Sequence, residues 1–286
     1  MIRNSIDIDE EGGRRRLSWV EWGEPEAERT VVCVHGLTRN ARDFDRLAEV
    51  LSGQFRVICP DVAGRGESDR LVDPARYGVP TYVGDILTML DRLRVGPVDW
   101  VGTSMGGLIG MAIAGAEAEV MRGRIDKMVL NDVGPFIPKA ALERIGQYVG
   151  LEWRFKDMAE AERHFRAAYA PFGPLSDDEW RHLTWYGVRE DDDGDLVPAY
   201  DPAIAVPFRS EEIADIALWP LWEAIACPVL VLRGAESDLL TEDVLEEMIR
   251  RRPSTRAVTF SGVGHAPALM ANDQIEVIRE WLTTEV

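Results

Sequence analysis

Ser104 lies between two glycines in the pattern Gly102-x-Ser104-x-Gly106. The residues before it, 98–101, form an apolar run typical of a buried strand, and residues 105–118 form a small apolar run typical of a buried helix. The serine is therefore predicted at a sharp strand-to-helix turn, where nearby glycines let the two backbones approach. Such a turn exposes the hydroxyl and aims the first helical N–H groups at developing negative charge, so Ser104 is a candidate nucleophile.

A serine hydroxyl needs a base to become nucleophilic at neutral pH, and that base is usually a histidine held by a carboxylate. His164 and His182 lie in predicted helices, where packing or solvated roles are expected. His35 directly follows a predicted strand, so its backbone is expected to matter more than its ring. His265 lies in a glycine-rich loop after the last predicted strand and can reach the same sheet edge as Ser104, so it is the candidate base.

Three carboxylates follow predicted strands and could orient this histidine. Asp238 follows the strand at residues 229–232 and gives the chain order Ser, Asp, His. Asp132 is the competitor because it follows another strand, and Glu236 is third because it would need a different loop geometry. Asp238 is the preferred candidate.

An oxyanion formed by attack on a carbonyl needs two backbone donors that are in place beforehand. Met105 directly follows the serine and can supply the first N–H. Leu37 follows His35 and Gly36 at the end of an early strand and can supply the second. His35 and Gly36 are accordingly candidate substrate-binding residues.

These positions require strands that alternate with helices. Continuous apolar runs predict strands at 30–34, 55–59, 98–101, 127–130, 229–232 and 257–260. Helical patterns occupy the stretches after Asn40 and at 81–94, 105–118, 241–251 and 273–282, and residues 17–22 alternate like an early strand. Strands that are apolar along their whole length imply an α/β architecture, with a parallel sheet covered on both faces.

The alternation stops between residues 138 and 218, where helical patterns and aromatic residues replace it. We therefore predict a core formed by residues 1–137 and 219–286, with 138–218 inserted as a helical cap. Phe136, Trp153 and Trp185 could form an apolar roof that contacts the substrate. The acidic segment 191–195 lacks the ligand spacing of a calcium loop and is predicted to be a solvated hairpin turn.

The amino-acid composition limits the classes of partner and cofactor that the protein is expected to bind. The chain has 286 residues and a formal net charge of −18, which argues against nucleic acid and anionic membranes. Neither a run of about 18 apolar residues nor a signal-like apolar segment near the start is present in the sequence. Cys33, Cys59 and Cys227 show no metal-ligand spacing, and buried free thiols in a reducing cytoplasm are expected. The expectation is a monomer or homodimer that needs no cofactor or metal.

Four features in this order resemble the α/β-hydrolase superfamily and span nearly the whole chain. They are His35-Gly36, the loop Asp61-x-x-Gly64-x-Gly66-x-Ser68, Gly102-x-Ser104-Met105-Gly106-Gly107, and Gly234…Asp238 with Gly264-His265. The resemblance implies the α/β-hydrolase fold, with an eight-stranded, mostly parallel sheet. It also implies a triad of Ser104, Asp238 and His265, an oxyanion hole of Leu37 and Met105, and a structural role for the loop 61–68.

The predicted activity is hydrolysis of a carboxylic ester with a small to medium acyl group through an acyl-enzyme. Carbon–carbon hydrolysis of ring-fission diketones, an enol-lactone or a hydroxyalkanoate oligomer as substrate, and perhydrolysis are alternatives that use the same triad. Dehalogenase and epoxide hydrolase activities are disfavoured because relatives with those activities use an aspartate nucleophile. A non-catalytic ligand receptor on the same fold is the alternative from a different class.

Overall fold

The computed structural model describes residues 1–10, 13–118, 120–209 and 213–284. Its main sheet has eight strands in the order β1-β2-β4-β3-β5-β6-β11-β12. The strands of the chain are β1 Ile2–Glu10, β2 Gly13–Trp22, β3 Thr30–Val34, β4 Arg56–Pro60, β5 Val98–Thr103, β6 Ile125–Asn131, β7 Phe136–Ile137, β8 Val188–Glu190, β9 Leu196–Pro198, β10 Ile216–Ala217, β11 Val229–Gly234 and β12 Arg256–Phe260. β1 and β2 pair antiparallel with their neighbours, and the remaining pairs of the main sheet are parallel.

Helices cover both faces of this sheet. They are α1 Asp45–Leu51, α2 Val79–Leu93, α3 Met105–Ala114, α4 Lys139–Tyr148, α5 Met158–Ala168, α6 Asp177–Gly187, α7 Trp219–Ala224, α8 Glu242–Arg251 and α9 Asn272–Thr283. Short 3₁₀ helices lie at Ala41–Phe44, Pro74–Arg76, Ala170–Phe172 and Pro202–Arg209. Every residue of β3 and of β11 is buried, as expected for strands packed on both sides. The predicted eight-stranded, mostly parallel sheet is confirmed.

No strand was predicted from the sequence at the position of β1. β1 pairs with β2 from Ile2 opposite Glu21 to Glu10 opposite Gly13 and forms the sheet edge. Most of its residues are polar and exposed, and only Ile6 and Ile8 turn apolar side chains toward the core. Ile6 and Ile8 alternate with polar residues, but this apolar pattern is short because an edge strand buries few side chains.

Residues 138–218, predicted from the sequence to be an insertion and called the inserted segment below, contain α4, α5 and α6 and also a small hairpin. The strands β7 and β10 pair antiparallel at its two ends, so the chain leaves the core and returns to it at one place. The hairpin β8–β9 turns at the acidic stretch, where the Asp191 carboxylate accepts from the N–H groups of Asp193 and Asp195. Arg154 pairs with this turn, which supports the expected hairpin.

All three cysteines are free thiols. Cys33 and Cys59 are buried, whereas Cys227 is only half-buried. Within the described ranges, no group of three His, Cys, Asp or Glu side chains could hold a metal ion. In the same part of the chain, none of the helices has the length and apolar character required to cross a bilayer.

Candidate active site

Ser104 occupies a strained turn between β5 and α3. Its backbone has φ 51° and ψ −115°, a conformation that non-glycine residues rarely adopt. A Cβ on Gly102 would lie 2.4 Å from the Gly106 carbonyl oxygen, and a Cβ on Gly106 would lie 1.9 Å from that of Val34. Both glycines are therefore required by the close approach of β5, α3 and β3, and the turn holds the serine at the carboxyl edge of the sheet.

The imidazole of His265 connects this serine to a carboxylate. Its Nε2 lies 2.9 Å from Ser104 Oγ, and its Nδ1 lies 2.7 Å from Asp132 Oδ2. An ionised carboxylate only accepts hydrogen bonds, so we assign the proton to Nδ1. Nε2 is then free to accept the serine proton, which is the arrangement needed for general-base catalysis.

Asp132 follows β6 directly and is fully buried. Its Oδ1 accepts from the Gly234 N–H at 2.8 Å, and its Oδ2 accepts from the Ser237 hydroxyl at 2.6 Å as well as from His265. These donors compensate the loss of water around the buried charge. The carboxylate is therefore held in one orientation against the histidine.

The interpretation that Asp238 orients His265 is wrong in this structure. The Asp238 carboxylate is half exposed and forms a bidentate pair with Arg144, at 2.6 and 2.9 Å. Asp238 lies four residues beyond the end of β11, and the loop directs Ser237 inward and Asp238 outward. Glu236, the third candidate, is also exposed. Asp132 instead directly follows β6, the strand that lies beside β5.

His35 controls the peptide that precedes Leu37. Its Nε2 accepts from the Val62 N–H at 3.0 Å, and its Nδ1 lies 2.7 Å from the Gly36 carbonyl oxygen. Burial lowers the pKa of His35 to about 3, so the ring is neutral and Nδ1–H donates to Gly36. Because C=O and N–H point in opposite directions in a trans peptide, the Leu37 N–H points away from His35.

The two expected oxyanion donors are available. In the described part of the chain, the Leu37 N–H donates to no backbone acceptor. Met105 is the first residue of α3, so its N–H has no acceptor within the helix. Both residues line a cavity together with Ser104.

Two cavities meet at the serine. The His265 cavity, of about 470 Å³, is lined by Ser104 and His265 together with polar side chains that include Thr38, Arg144, Tyr148, Tyr169 and Tyr200. The Met105 cavity, of about 460 Å³, is lined by Ser104 and Met105 together with apolar side chains that include Leu108, Val133, Ile137 and Leu142. The serine can thus act on a molecule that extends in two directions.

Of the other predicted substrate-binding residues, three line the His265 cavity and two lie outside both cavities. His35, Gly36 and Trp153 line the His265 cavity. Trp185 does not: it is 65% exposed and borders a separate surface groove, because its position on α6 turns it toward solvent. Phe136 is absent from the described residues lining either cavity, because the β7–β10 pairing holds it beside the sheet. Both assignments are therefore corrected.

The tyrosines of the His265 cavity were missed. Tyr148 ends α4, Tyr169 follows α5, and Tyr200 follows β9, so they are far apart in sequence. The Tyr169 hydroxyl lies 3.2 Å from Thr38 Oγ1, next to the residue expected to supply an oxyanion donor. Burial raises the pKa of Tyr200 well above its usual range, so its hydroxyl remains a proton donor. Spacing in sequence contains no sign that these phenols converge.

Known proteins resemble the chain over most of its length. Residues 31–277 match the family model described as the alpha/beta hydrolase family. A 3-hydroxybutyrate-oligomer hydrolase of Cupriavidus necator is 46% identical over 279 residues, which cover 95% of this chain and 94% of the relative. A solved Rickettsia typhi structure, provisionally named a hydrolase, is 34% identical, covers all of both chains and has a TM-score of 0.93. An alpha/beta hydrolase of Novosphingobium aromaticivorans is 34% identical over 98% of both chains, with a TM-score of 0.85.

Proposed function

The chain belongs to the alpha/beta hydrolase family, and from that premise we propose that Ser104, His265 and Asp132 hydrolyse carboxylic esters through an acyl-enzyme. One observation carries the proposal: the continuous hydrogen-bond chain from Ser104 Oγ through His265 to the buried Asp132 carboxylate. A serine hydroxyl becomes a useful nucleophile when a base accepts its proton as it attacks.

In the first half of the reaction, His265 Nε2 takes the Ser104 proton while Oγ bonds to the ester carbonyl carbon. The carbonyl oxygen becomes negatively charged and accepts hydrogen bonds from the Leu37 and Met105 N–H groups. Asp132 stabilises the imidazolium that forms. His265 then donates its proton to the alcohol oxygen, the carbon–oxygen bond breaks, and the acyl group remains on Ser104.

In the second half, a water molecule takes the place of the alcohol. His265 accepts one of its protons as the water oxygen attacks the acyl carbon, and the same two N–H groups stabilise the oxyanion. The bond to Ser104 breaks, the serine regains its proton from His265, and the acid leaves.

The two cavities indicate how the substrate is oriented. His265 must reach the leaving oxygen, and it lines the His265 cavity but is not among the described residues that line the Met105 cavity. The alcohol part therefore occupies the His265 cavity, and the acyl chain occupies the Met105 cavity. A cavity of about 460 Å³ with apolar walls suits a small to medium acyl chain.

Short oligoesters of hydroxy acids fit this orientation. The Cupriavidus necator relative is a 3-hydroxybutyrate-oligomer hydrolase, and in such an oligomer the alcohol part itself carries a carboxyl group or a further ester. Tyr148, Tyr169 and Arg144 present hydrogen-bond donors in the His265 cavity that suit those oxygens. We infer that the enzyme releases hydroxy-acid units from such chains.

The inserted segment, residues 138–218, supplies Arg144, Tyr148, Trp153 and Tyr169 to the His265 cavity. We infer that it is a helical cap that selects the alcohol part of the substrate. The free thiols support a reducing, cytoplasmic setting.

The test is steady-state hydrolysis of p-nitrophenyl esters from acetate to decanoate and of 3-hydroxybutyrate dimer and trimer. Wild type is compared with Ser104→Ala and with Ser5→Ala, whose serine is exposed on β1. We expect a preference for short acyl chains, and a loss of at least about 10³-fold in kcat/KM in Ser104→Ala alone.

Other outcomes would change the proposal. Wild-type inactivity on all esters and oligomers would argue for carbon–carbon bonds or lactones as targets. A stoichiometric burst without turnover would support a ligand receptor. Faster hydrolysis of decanoate than of butyrate would contradict the assignment of the acyl chain to the Met105 cavity.

A further inference from the structure

Arg65 is a fully buried cation with only neutral partners. Its side chain is 1% exposed. Nε donates to the Leu37 carbonyl at 2.9 Å, and Nη1 donates to the Ala63 carbonyl at 2.7 Å and to the Tyr82 hydroxyl at 2.9 Å. Nη2 lies 3.8 Å from Met105 Sδ. Among the ion pairs of the described residues, none involves Arg65.

Two other buried arginines are neutralised, whereas buried Arg233 donates, like Arg65, to neutral oxygens, the carbonyls of Leu240 and Ala235. Arg15 pairs with Glu10 and Asp85, and Arg39 forms a bidentate pair with Asp43. A guanidinium does not lose its proton in a protein, and burying it without an opposite charge costs free energy. None of the described acidic side chains forms an ion pair with Arg65, although the Asp201 carboxylate accepts from the hydroxyl of Tyr77, over whose ring the guanidinium packs at 5.6 Å. The positive charge of Arg65 therefore has no direct ion-pair partner among the described residues.

The loop around Arg65 holds it rigidly. The Asp61 carboxylate accepts from the Ala41 N–H at 2.8 Å and from the Glu67 N–H at 2.9 Å. A Cβ on Gly66 would lie 2.3 Å from that carboxyl group, so only glycine fits beside it. Within this loop, the hydrogen bonds that Nε and Nη1 donate orient the guanidinium, and a fixed orientation is a requirement for electrostatic preorganisation.

Arg65 contacts both residues whose N–H groups are assigned to the oxyanion. It binds the carbonyl oxygen of Leu37 and touches the sulfur of Met105. A positive charge in a buried, weakly polarisable setting interacts with a nearby negative charge more strongly than it would in water. Negative charge appears at this place only during attack and acyl transfer.

We propose that Arg65 is a positioning residue whose charge, which has no ion-pair partner among the described residues, stabilises the oxyanion from behind Leu37 and Met105. The inference rests on the proposed serine hydrolase function and adds to it. It also gives the loop 61–68, expected from the sequence to be purely structural, an indirect part in the chemistry. The missing counter-charge is then supplied by the transition state itself.

The test compares Arg65→Lys, which keeps a charge, with Arg65→Gln and Arg65→Met, which remove it. Each variant is assayed for kcat, for KM and for inhibition by butylboronic acid. In that adduct Ser104 Oγ bonds to boron, its proton passes to His265, and the boron centre becomes an anionic tetrahedron. We expect kcat to fall about 10- to 100-fold in the two neutral variants, with KM changed less than about threefold.

The boronic acid should lose affinity by the same factor as kcat, and Arg65→Lys should retain most of both. Arg252→Met is the matched control, because Arg252 also donates to carbonyls, those of Ile225 and Cys227, and packs over the Trp222 ring at 5.4 Å. It lies away from the serine and should change Tm without changing kcat.

Two outcomes would overturn the proposal. Neutral variants with wild-type kcat and boronic acid affinity would show that the charge does not act on the oxyanion. An Arg65→Lys variant as impaired as Arg65→Gln, at equal Tm, would show that only the hydrogen-bond geometry matters. If Arg65→Met does not fold, the comparison of Lys with Gln carries the test. Failure of this proposal can be distinguished from failure of the proposed function. If wild type hydrolyses the ester and Ser104→Ala does not, the serine hydrolase function holds whatever the Arg65 variants show.

Discussion

The sheet and the inserted segment contribute to the site in opposite ways. On the sheet, Asp132 is fully buried, and each of its oxygens accepts hydrogen bonds from fixed donors. On the inserted segment, Trp153 is 38% exposed and Tyr148 is 40% exposed, and the ion pair of Arg144 with Asp238 is partly exposed. The sheet therefore holds groups that must not move during bond making, whereas the segment offers a surface that can vary with the substrate.

From this contrast we expect the largest difference in kcat/KM between substitutions of Asp132 and of Asp238. Asp132→Asn should lower kcat/KM by about 10³- to 10⁴-fold, because an amide cannot hold the His265 tautomer that leaves Nε2 free. Asp238→Asn should leave kcat/KM within about threefold, because its carboxylate pairs with Arg144 at the surface. Steady-state kinetics on one p-nitrophenyl ester, with circular dichroism to verify folding, would measure both. The reverse ranking would restore Asp238 as the orienting acid.

Asp132 and Asp238 could not be distinguished from the sequence alone. Both follow apolar strands, and both satisfy the chain order from serine to histidine. The deciding features are three-dimensional: β6 lies directly beside β5, and Asp132 adopts φ 57°, as its backbone leaves the strand. By contrast, the positions of Ser104 and His265 at strand ends were predictable, because glycine spacing and apolar runs mark those turns locally.

A second contrast concerns pH, because the buried ring of His35 belongs to the sheet side of the site. Its pKa is lowered from 6.5 to about 3 by burial, so the folded protein resists a proton that the unfolded chain accepts. The stability due to neutral His35 is therefore present above about pH 6.5 and is lost as the pH falls toward 3. Each pKa unit corresponds to about 1.4 kcal/mol, so the loss is up to about 5 kcal/mol.

Asp61 acts in the opposite direction, so the measurement must isolate His35. Burial raises the pKa of Asp61 to about 6, which favours folding below that pH. Denaturant unfolding of wild type and of His35→Asn, from pH 3 to 8, gives a difference in unfolding free energy from which Asp61 cancels. We expect that difference to rise with pH up to about 6.5 and then to level off. A difference independent of pH would contradict a neutral, buried His35.

The inserted segment was the least predictable region for a related physical reason. Its helices could be located from apolar spacing, but the direction in which each aromatic side chain points depends on how those helices pack. Trp153 packs against His164, with the rings tilted by 48° and their centroids 4.3 Å apart, and it lines the His265 cavity. Trp185 lies in the same segment but faces solvent. Residue type alone could not separate the two.

These two tryptophans provide the smallest and most discriminating prediction. Trp153→Ala should raise KM about 3- to 10-fold for esters with a bulky alcohol part, because it removes an aromatic wall of the His265 cavity worth about 1 kcal/mol. For methyl esters, which do not reach that wall, KM and kcat should change less than about twofold. Trp185→Ala is the matched control and should leave KM unchanged for both ester classes, since its ring borders only the surface groove. Equal effects of the two variants, or a fall in kcat with methyl esters in Trp153→Ala, would mean that the segment takes part in positioning the reacting atoms and not only in selecting the alcohol.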